Sequence, residues 1–339
     1  MKYSQEKKNS IIKYLLEKIN QNTAGVSKIV SETFGMSRNT VNGYINELIE
    51  KDIIKKKQRD VYELIDKKFT YALKRSEGHL DNDTYAYYNC LEPHIKDLPE
   101  NVQRIWSYSF SEMINNVMDH SMAEDLDIVI LRNYLETTVF IKDNGVGIFE
   151  KIKAHFELPS LDEAICELFK GKLTTDAKNH SGEGIFFSSK LMDSFFIISS
   201  NRIFMTDKFE DERIVAAKEK ISDGTVVIMK LSNFSNKQAF EIFDDYSNDF
   251  GCFTKTRIPL KNIFTDAPVS RSQANRVCNR LDKFKEVVID FDGLDWMGQG
   301  FAHQMFVVYK NEHPEIEFIP VNMNEAVTKM YNHVTSDNV

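Results

Sequence analysis

Four short polar motifs follow one another along the middle of the 339-residue chain, and their order constrains the fold more than any other feature of the sequence. Glu112 and Asn116 are four residues apart, so on a helix they project from the same face. Asp143 ends a predicted strand and begins an Asp-Asn-Gly-Val-Gly turn. Gly-Glu-Gly at 182–184 precedes an apolar helix, and Asp-Gly-Thr at 223–225 opens a further strand. Each motif alone is ambiguous, but the ordered set indicates one binding site.

The first two motifs carry residue types that suit a nucleotide. The carboxylate of Glu112 can address a water molecule, while the amide oxygen of Asn116 can help to hold a metal ion. Asp143, at a strand end, can accept a hydrogen bond from an adenine amino group. Gly145 and Gly147 let the backbone come close to a base and a sugar. The alternative is an ordinary tight turn, because Asn-Gly is common in turns.

The last two motifs suit phosphate and base. Glycines at a helix N-terminus, such as Gly182 and Gly184, expose amide donors to phosphate. Thr225 can reach adenine directly or through water, although Asp-Gly before it is also typical of a hairpin turn. The chain contains neither the Gly-x-x-x-x-Gly-Lys-Ser/Thr motif of a P-loop nor the third glycine of a dinucleotide fingerprint.

The four motifs in this order resemble the GHKL ATPase superfamily, which includes gyrase B, Hsp90-type chaperones, MutL, sensor histidine kinases and anti-sigma-factor serine kinases. The resemblance covers about residues 85–232. It implies a Bergerat α/β sandwich with a mixed sheet, which we expect over residues 80–235. ATP and Mg²⁺ are the ligands that it implies.

The resemblance also implies roles for the motif residues. Glu112 would be the general base, Asn116 would bind Mg²⁺, and Asp143 would recognise adenine. The segment between Gly147 and Gly182 would be the ATP lid, in which Lys172 and Thr174 are placed to reach phosphate. The residues expected at the nucleotide site are Glu112, Asn116, Asp143, Gly145, Gly147, Lys172, Thr174, Gly182, Gly184 and Thr225.

One branch of that superfamily fits this sequence poorly. A histidine kinase needs a phosphoacceptor histidine on a pair of dimerisation helices before the first motif. His94 is the candidate here, and no second helix of suitable length separates it from Glu112. His120, just after Asn116, is interpreted as a structural histidine at a helix end. The gyrase-like and serine-kinase branches are therefore favoured.

The N-terminal region is basic, with 16 Lys and Arg against 9 Asp and Glu in residues 1–75, whereas the whole chain has a net charge of −8. Apolar spacing predicts helices over 5–20 and 26–34, the second ending at Gly35. Ser37 is the expected N-cap of a third, polar helix. Two short strands with a basic turn follow. This order resembles a winged helix-turn-helix, which implies DNA binding through Arg38, Asn39, Asn42, Lys55, Lys56, Lys57 and Arg59. The alternative is a protein-interaction domain with a solvated lysine run.

The C-terminal region alternates strands and helices, which predicts a small α/β layer over 253–339 after a linker helix at 236–252. The stretch VVIDFDGLDWMGQGFAHQMF resembles the central strand, loop and helix of STAS domains. In that family the loop carries a phosphorylatable serine, but residues 297–300 are Met-Gly-Gln-Gly. A packing or dimerisation domain without a ligand is the alternative.

The composition is typical of a cytoplasmic protein. The sequence has no run of eighteen apolar residues and no apolar signal segment at its N-terminus, so we expect no membrane contact. Its four cysteines are far apart, which favours a reduced compartment.

Together these features predict a multidomain α+β regulator. Residues 1–75 would bind DNA, and the central core would bind and hydrolyse Mg-ATP to control that binding through the STAS-like domain. The alternatives are a serine/threonine kinase acting on another protein and an ATP-gated dimer clamp in DNA repair or phage defence. A protein partner for the STAS-like domain and a homodimer are both left open.

Overall fold

The computed structural model describes residues 5–58, 60–173, 182–206, 223–264 and 266–336. Its N-terminal part consists of three helices and a hairpin. These elements are α1 (Gln5–Asn20), α2 (Val26–Phe34), α3 (Arg38–Glu50), β1 (Ile54–Gln58) and β2 (Val61–Leu64). Gly35 ends α2 with a φ of +61°, and the Ser37 side chain accepts a hydrogen bond from the Thr40 amide at the start of α3. The predicted bounds of α1 and α2 and the predicted cap of α3 are confirmed.

The basic hairpin differs in detail from the prediction. The lysines at 55–57 lie within β1, which pairs antiparallel with β2, and are not at the turn between the strands. The strand includes the lysines at 55–57, which are all exposed, because its backbone pairs with β2 from Ile54 to Gln58. Arg59, expected at the turn, lies outside the described residues.

A six-stranded sheet forms the centre of the molecule, in the order β3-β4-β5-β8-β6-β7. Its strands are β3 (Lys67–Lys74), β4 (Asp125–Arg132), β5 (Glu136–Asp143), β6 (Ser194–Ser199), β7 (Arg202–Met205) and β8 (Thr225–Ser232). Every pair of neighbours described in this sheet is antiparallel, so the expectation of a mixed sheet is wrong for these strands. The reason is that β8 lies between β5 and β6 and runs opposite to both.

The edge strand β3 corrects the predicted end of the N-terminal domain at residue 75. Lys67–Lys74 pairs with β4 along its whole length, so this segment belongs to the central sheet. Phe69, Tyr71 and Leu73 alternate with more exposed neighbours along it. This alternation with a period of two indicates a half-buried strand. A domain boundary placed from the distribution of charge does not take it into account.

Helices pack on the sheet around one large apolar core that includes Trp106, Phe110 and Phe149. They are α4 (Asp83–Ala86), α5 (Glu100–Asn116), α6 (Ile148–His155), α7 (Leu161–Lys170) and α8 (Gly184–Leu191). Buried residues recur every three or four positions along α5, and a wider turn, Val117–Ser121, continues it. Glu112 and Asn116 lie at the margin of this buried face, next to the core residues Met113 and Val117.

The C-terminal part is built on a three-stranded parallel sheet in the order β11-β10-β9. Its elements are α9 (Ala239–Asp245), β9 (Lys255–Pro259), α10 (Leu260–Ile263), α11 (Arg271–Cys278), β10 (Glu286–Asp290), α12 (Gln299–His303), α13 (Lys310–Glu312), β11 (Glu317–Val321) and α14 (Glu325–Ser336). Val287 and Ile289, in the central strand β10, are fully buried. The predicted strand–helix alternation is confirmed, although the predicted helix at 298–310 is divided by a wider turn, Gln304–Tyr309.

The C-terminal core also contains two residues of the central part. Phe186 and Phe187, in α8, pack among the buried residues of the C-terminal layer. The ring of Phe186 lies 4.8 Å from that of Phe253, and the ring of Phe187 lies 4.7 Å from that of Phe243 in α9. The helix that begins at the third motif is thus shared between the two parts.

A buried ion pair holds the same junction. Lys170, the last residue of α7, is 0% exposed, and its Nζ lies 2.6 Å from a carboxylate oxygen of Glu167. The ammonium also donates to the carbonyl oxygens of Arg276 and Asn279, and the Thr256 hydroxyl donates to the Lys170 carbonyl. The end of α7 is therefore fixed to the C-terminal layer. Among the described residues, no helix combines the length and apolarity needed to cross a membrane.

Candidate functional site

A cavity of about 240 Å³ lies between α5, α6, α8 and the β5–β8 strand pair. It brings together residues of all four sequence motifs, which are separated by more than a hundred positions along the chain. The predicted site residues in its wall are Glu112, Asn116, Asp143, Gly147, Gly182, Gly184 and Thr225. The order of motifs in the sequence thus becomes a single concave site.

Glu112 faces the start of α8 across the cavity. Gly184 begins that helix, and a Cβ added there would lie 2.0 Å from Oε2 of Glu112. Only a glycine therefore lets the carboxylate and the helix N-terminus approach so closely. Burial, with the nearby carboxylates of Glu112 and Glu183, raises the pKa of Tyr108. Tyr108 is thus a neutral hydroxyl one turn before Glu112, although no motif pointed to it.

Asp143 lies at the end of β5, opposite Thr225 at the start of β8. Its side chain is 4% exposed, and Oδ1 accepts a hydrogen bond of 2.8 Å from the Gly145 amide. Burial raises the pKa of this carboxyl, and hydrogen bonds from Gly145 and Thr225 oppose the rise. The Thr225 hydroxyl in turn accepts from the amide of Ile148. This network orients a buried acceptor at the cavity wall.

Gly145 supports the site without lining it. A Cβ at this position would lie 2.1 Å from the carbonyl oxygen of Ser121. The Val146 amide donates to the same oxygen, so the second motif lies tightly against the end of the α5 extension. Ser121 and His120, from that extension, both line the cavity. His120, which we interpreted as structural, is therefore also a wall residue.

Sequence reasoning missed a lysine in the wall. Lys151, in α6, donates from Nζ to the His120 carbonyl oxygen at 2.7 Å. Burial lowers its pKa, and the charge of Asp119 opposes the change. The spacing of Lys151 after Gly147 was the available signal, but a lysine in a short amphipathic helix is usually a solvated residue.

Of the two expected lid residues, Lys172 is placed differently from the prediction. Lys172 does not line the cavity; its Nζ donates to the Lys283 carbonyl oxygen at 2.8 Å and lies 5.0 Å from the centre of the Phe284 ring. Its side chain is occupied by the C-terminal layer, where the aromatic ring stabilises the cation. Thr174 lies outside the described residues. Leu173 and Gly182 meet on either side of that gap through a backbone hydrogen bond of 3.0 Å.

The residues expected to contact DNA lie on two exposed surfaces. Arg38, Asn39 and Asn42 are exposed along α3. In the hairpin, Lys55 and Lys57 both pair with Glu63, whereas Lys56 is exposed on the same strand. The acidic partner reduces the net positive charge of the hairpin below that suggested by the lysine run.

The loop after β10 has no room for a side chain at Gly298. A Cβ there would lie 2.7 Å from the backbone of Val269, and the Gly298 amide donates to the Pro268 carbonyl at 2.9 Å. The neighbouring Trp296 is half exposed. Close backbone packing thus explains why glycine occupies this position of the loop. No cluster of three or more histidine, cysteine or acidic side chains with metal-binding geometry occurs in the described part of the chain.

Comparison with known proteins identifies one region. A protein-family profile described as a STAS-like domain of unknown function (DUF4325) matches residues 273–328. These residues run from α11 through β10 and its loop to β11 and the start of α14. No curated protein matches the chain. The C-terminal part is therefore STAS-like within a multidomain chain of mixed α and β structure.

Proposed function

We propose that this chain is an ATP-dependent regulator, in which a GHKL-type core binds Mg-ATP and controls DNA binding by the N-terminal winged helix-turn-helix. The single cavity shared by all four motifs is the observation that carries the proposal. Four unrelated motifs would not be expected to line one concave surface. Concave sites that combine apolar side chains with a few convergent polar groups are typical of small-molecule and cofactor binding.

The residues present fit adenine at one end of the cavity. The buried carboxylate of Asp143 accepts hydrogen bonds from Gly145 and from Thr225, which lies opposite it on β8. Apolar side chains of Ile197 and Val227 line the cavity near this strand pair. A flat base with an exocyclic amino group would place its ring against the apolar residues and its amino group on Asp143.

The other end fits Mg²⁺ and phosphate. Gly182 and Gly184 lie at the N-terminus of α8, where backbone amides favour an anion. Asn116 would hold the metal ion through its amide oxygen, and the ion would neutralise phosphate charge. Glu112 lies beside this helix end, in position to accept a proton from an attacking water.

Helix α8 supports communication with the STAS-like part. Its first residue lines the cavity, and Phe186 and Phe187 lie in the C-terminal core. Lys170 and Lys172, within the expected lid, are held by the same layer. A nucleotide that binds one arrangement of these elements better than another would shift the whole unit. A tenfold preference corresponds to about 1.4 kcal/mol.

DNA binding rests on the order of N-terminal elements and on their exposed polar side chains. The helix α3 presents Arg38, Asn39 and Asn42 to solvent, and the hairpin presents Lys56. A recognition helix with such side chains suits a major groove, and a basic hairpin suits backbone phosphate.

In the STAS-like part, close packing leaves no room for a serine side chain at Gly298. This disfavours regulation by serine phosphorylation at that position of the loop after β10.

The test is the fate of labelled ATP. The wild-type chain should bind ATP and release inorganic phosphate, and ATP should change its affinity for DNA. Glu112→Ala should keep ATP binding but lose turnover by about 10²–10⁴-fold, because a general base contributes that much. Glu100→Ala, an exposed change in the same helix, is the matched control and should turn over normally.

Other outcomes would indicate a different function or a different role for Glu112. Label transferred to a protein would identify a kinase in place of an ATPase. Unchanged hydrolysis by Glu112→Ala would remove that residue from the role of base. A wild-type chain that fails to bind ATP would refute the proposed function.

A further inference from the structure

Lys151 is a cation in the cavity wall that belongs to none of the four motifs. It lies one turn into α6, which starts directly after Gly147. Its Nζ is 2.7 Å from the carbonyl oxygen of His120, and both residues line the cavity. The ammonium therefore joins the wall formed by α6 to the wall formed by the α5 extension.

The charge of the wall makes this position significant. Glu112 and Asp143 place two carboxyl groups in it, and Lys151 is the one lysine or arginine among the described residues that line it. A nucleotide adds further negative charge through its phosphates. An ammonium that is partly withdrawn from water forms strong, charge-assisted hydrogen bonds to such groups. Burial also lowers the pKa of Lys151, so a nearby anion would favour its charged form.

The position of Lys151 indicates which part of a nucleotide it meets. Asp143 and Gly147 mark the end of the cavity assigned to the base, and Lys151 follows Gly147 by one helical turn. Its ammonium lies beside His120, one turn beyond Asn116, which marks the end assigned to Mg²⁺. The ammonium is thus between the base end and the metal end, where the phosphate nearest the ribose would lie.

We propose that Lys151 binds the phosphate nearest the ribose and so makes the cavity select nucleotides over nucleosides. This inference rests on the proposed ATP site. It adds a specificity-determining residue that the motif pattern does not contain. The base and sugar would be held without it, so its contribution should appear only when a phosphate is present.

Calorimetric dissociation constants for adenosine, AMP and ATP test the proposal. Lys151→Met removes the charge but keeps much of the side-chain length, and Lys151→Arg keeps the charge. Lys153→Met is the matched control, because Lys153 lies in the same helix, is partly exposed near Glu150 and does not line the cavity. Lys151→Met should weaken AMP and ATP binding by about tenfold to hundredfold and change adenosine binding less than about twofold. Lys151→Arg and Lys153→Met should bind all three ligands nearly as the wild type does.

The ligand series separates this role from a structural one. An equal loss for adenosine, AMP and ATP would mean that Lys151 only supports the wall at His120, and the inference would be wrong. Unchanged affinity for all three would also refute it, as would a loss for ATP but not AMP. If the wild type binds ATP, the proposed function stands whichever of these results is found. If it binds none of the three ligands, both proposals fail.

Discussion

The buried pair of Lys170 and Glu167 gives the sharpest prediction about the junction between the central and C-terminal parts. Lys170→Met removes an ammonium that bonds to the Glu167 carboxylate and to the carbonyl oxygens of Arg276 and Asn279, at the end of α11. Glu167 is only 3% exposed, so water cannot replace the lost partner. The variant should therefore weaken the junction strongly.

The expected magnitude follows from the contacts that remain. Removing one member of a buried ion pair costs about 3–5 kcal/mol, because the other charge is left without compensation. Here Arg280 still lies 3.3 Å from the second oxygen of Glu167. We therefore expect the lower end of the range, about 3 kcal/mol in the free energy of unfolding. Adding Glu167→Gln to the variant should recover part of this loss, since it removes a buried charge that only Arg280 would still balance.

Urea unfolding followed by tryptophan fluorescence measures the effect on both parts. Trp106 is fully buried in the central core, and Trp296 is half exposed in the C-terminal loop. Lys329→Met is the matched control, because Lys329 pairs with Glu325 at 2.6 Å on an exposed helical surface. It should change the free energy of unfolding by less than about 0.5 kcal/mol. A loss below about 1 kcal/mol for Lys170→Met would refute the assigned role of the buried pair.

Three further predictions concern the proposed nucleotide and DNA sites. Asp143→Asn should abolish ATP binding, and tight ATP binding by the variant would remove Asp143 from adenine recognition. The same variant should have a higher free energy of unfolding at neutral pH, because burial raises the pKa of this carboxyl and disfavours its charged form. The protonated carboxyl stabilises the fold below the ordinary pKa of 3.8, and this contribution is lost as pH rises through the raised folded value. ATP affinity should fall on acidification as Asp143 becomes protonated. Calorimetry across pH should place this fall at a higher pH than the pKa of an ordinary aspartate, because the pKa of Asp143 is raised. DNA affinity should fall by about 0.9 log unit per phosphate contact for each tenfold increase in salt concentration. Lys56→Gln should reduce that slope by about one contact. An affinity that does not change with salt would contradict phosphate binding.

Local signals in the sequence predicted much of the fold. Gly35 and Ser37 fixed the end of one helix and the start of the next, because a left-handed cap and a side-chain cap are local requirements. The four motifs predicted a shared site, and the cavity brings their residues together. These successes have a common cause, since each depends on contacts within a few residues or on a fixed order of glycines and polar groups.

The errors arise where distant parts of the chain decide the outcome. Lys172 looked suited to phosphate by its place in the expected lid, but contacts with Lys283 and Phe284 hold its side chain. Lys151 belongs to no motif, and its place in the cavity wall depends on a contact between α6 and the turn after Asn116. The direction of β8 between its neighbours likewise depends on strand pairing across the whole sheet, which no local pattern specifies.

The sharing of α8 between two cores has a consequence for the order in which the protein matures. During synthesis, residues 184–191 leave the ribosome well before the strands and helices that cover Phe186 and Phe187. Until the residues of the C-terminal layer have been synthesised, the rings of Phe186 and Phe187 lack the apolar side chains that pack against them. A chain truncated before those residues would thus expose an apolar surface at Phe186 and Phe187, and the proposed nucleotide site would lose part of its support.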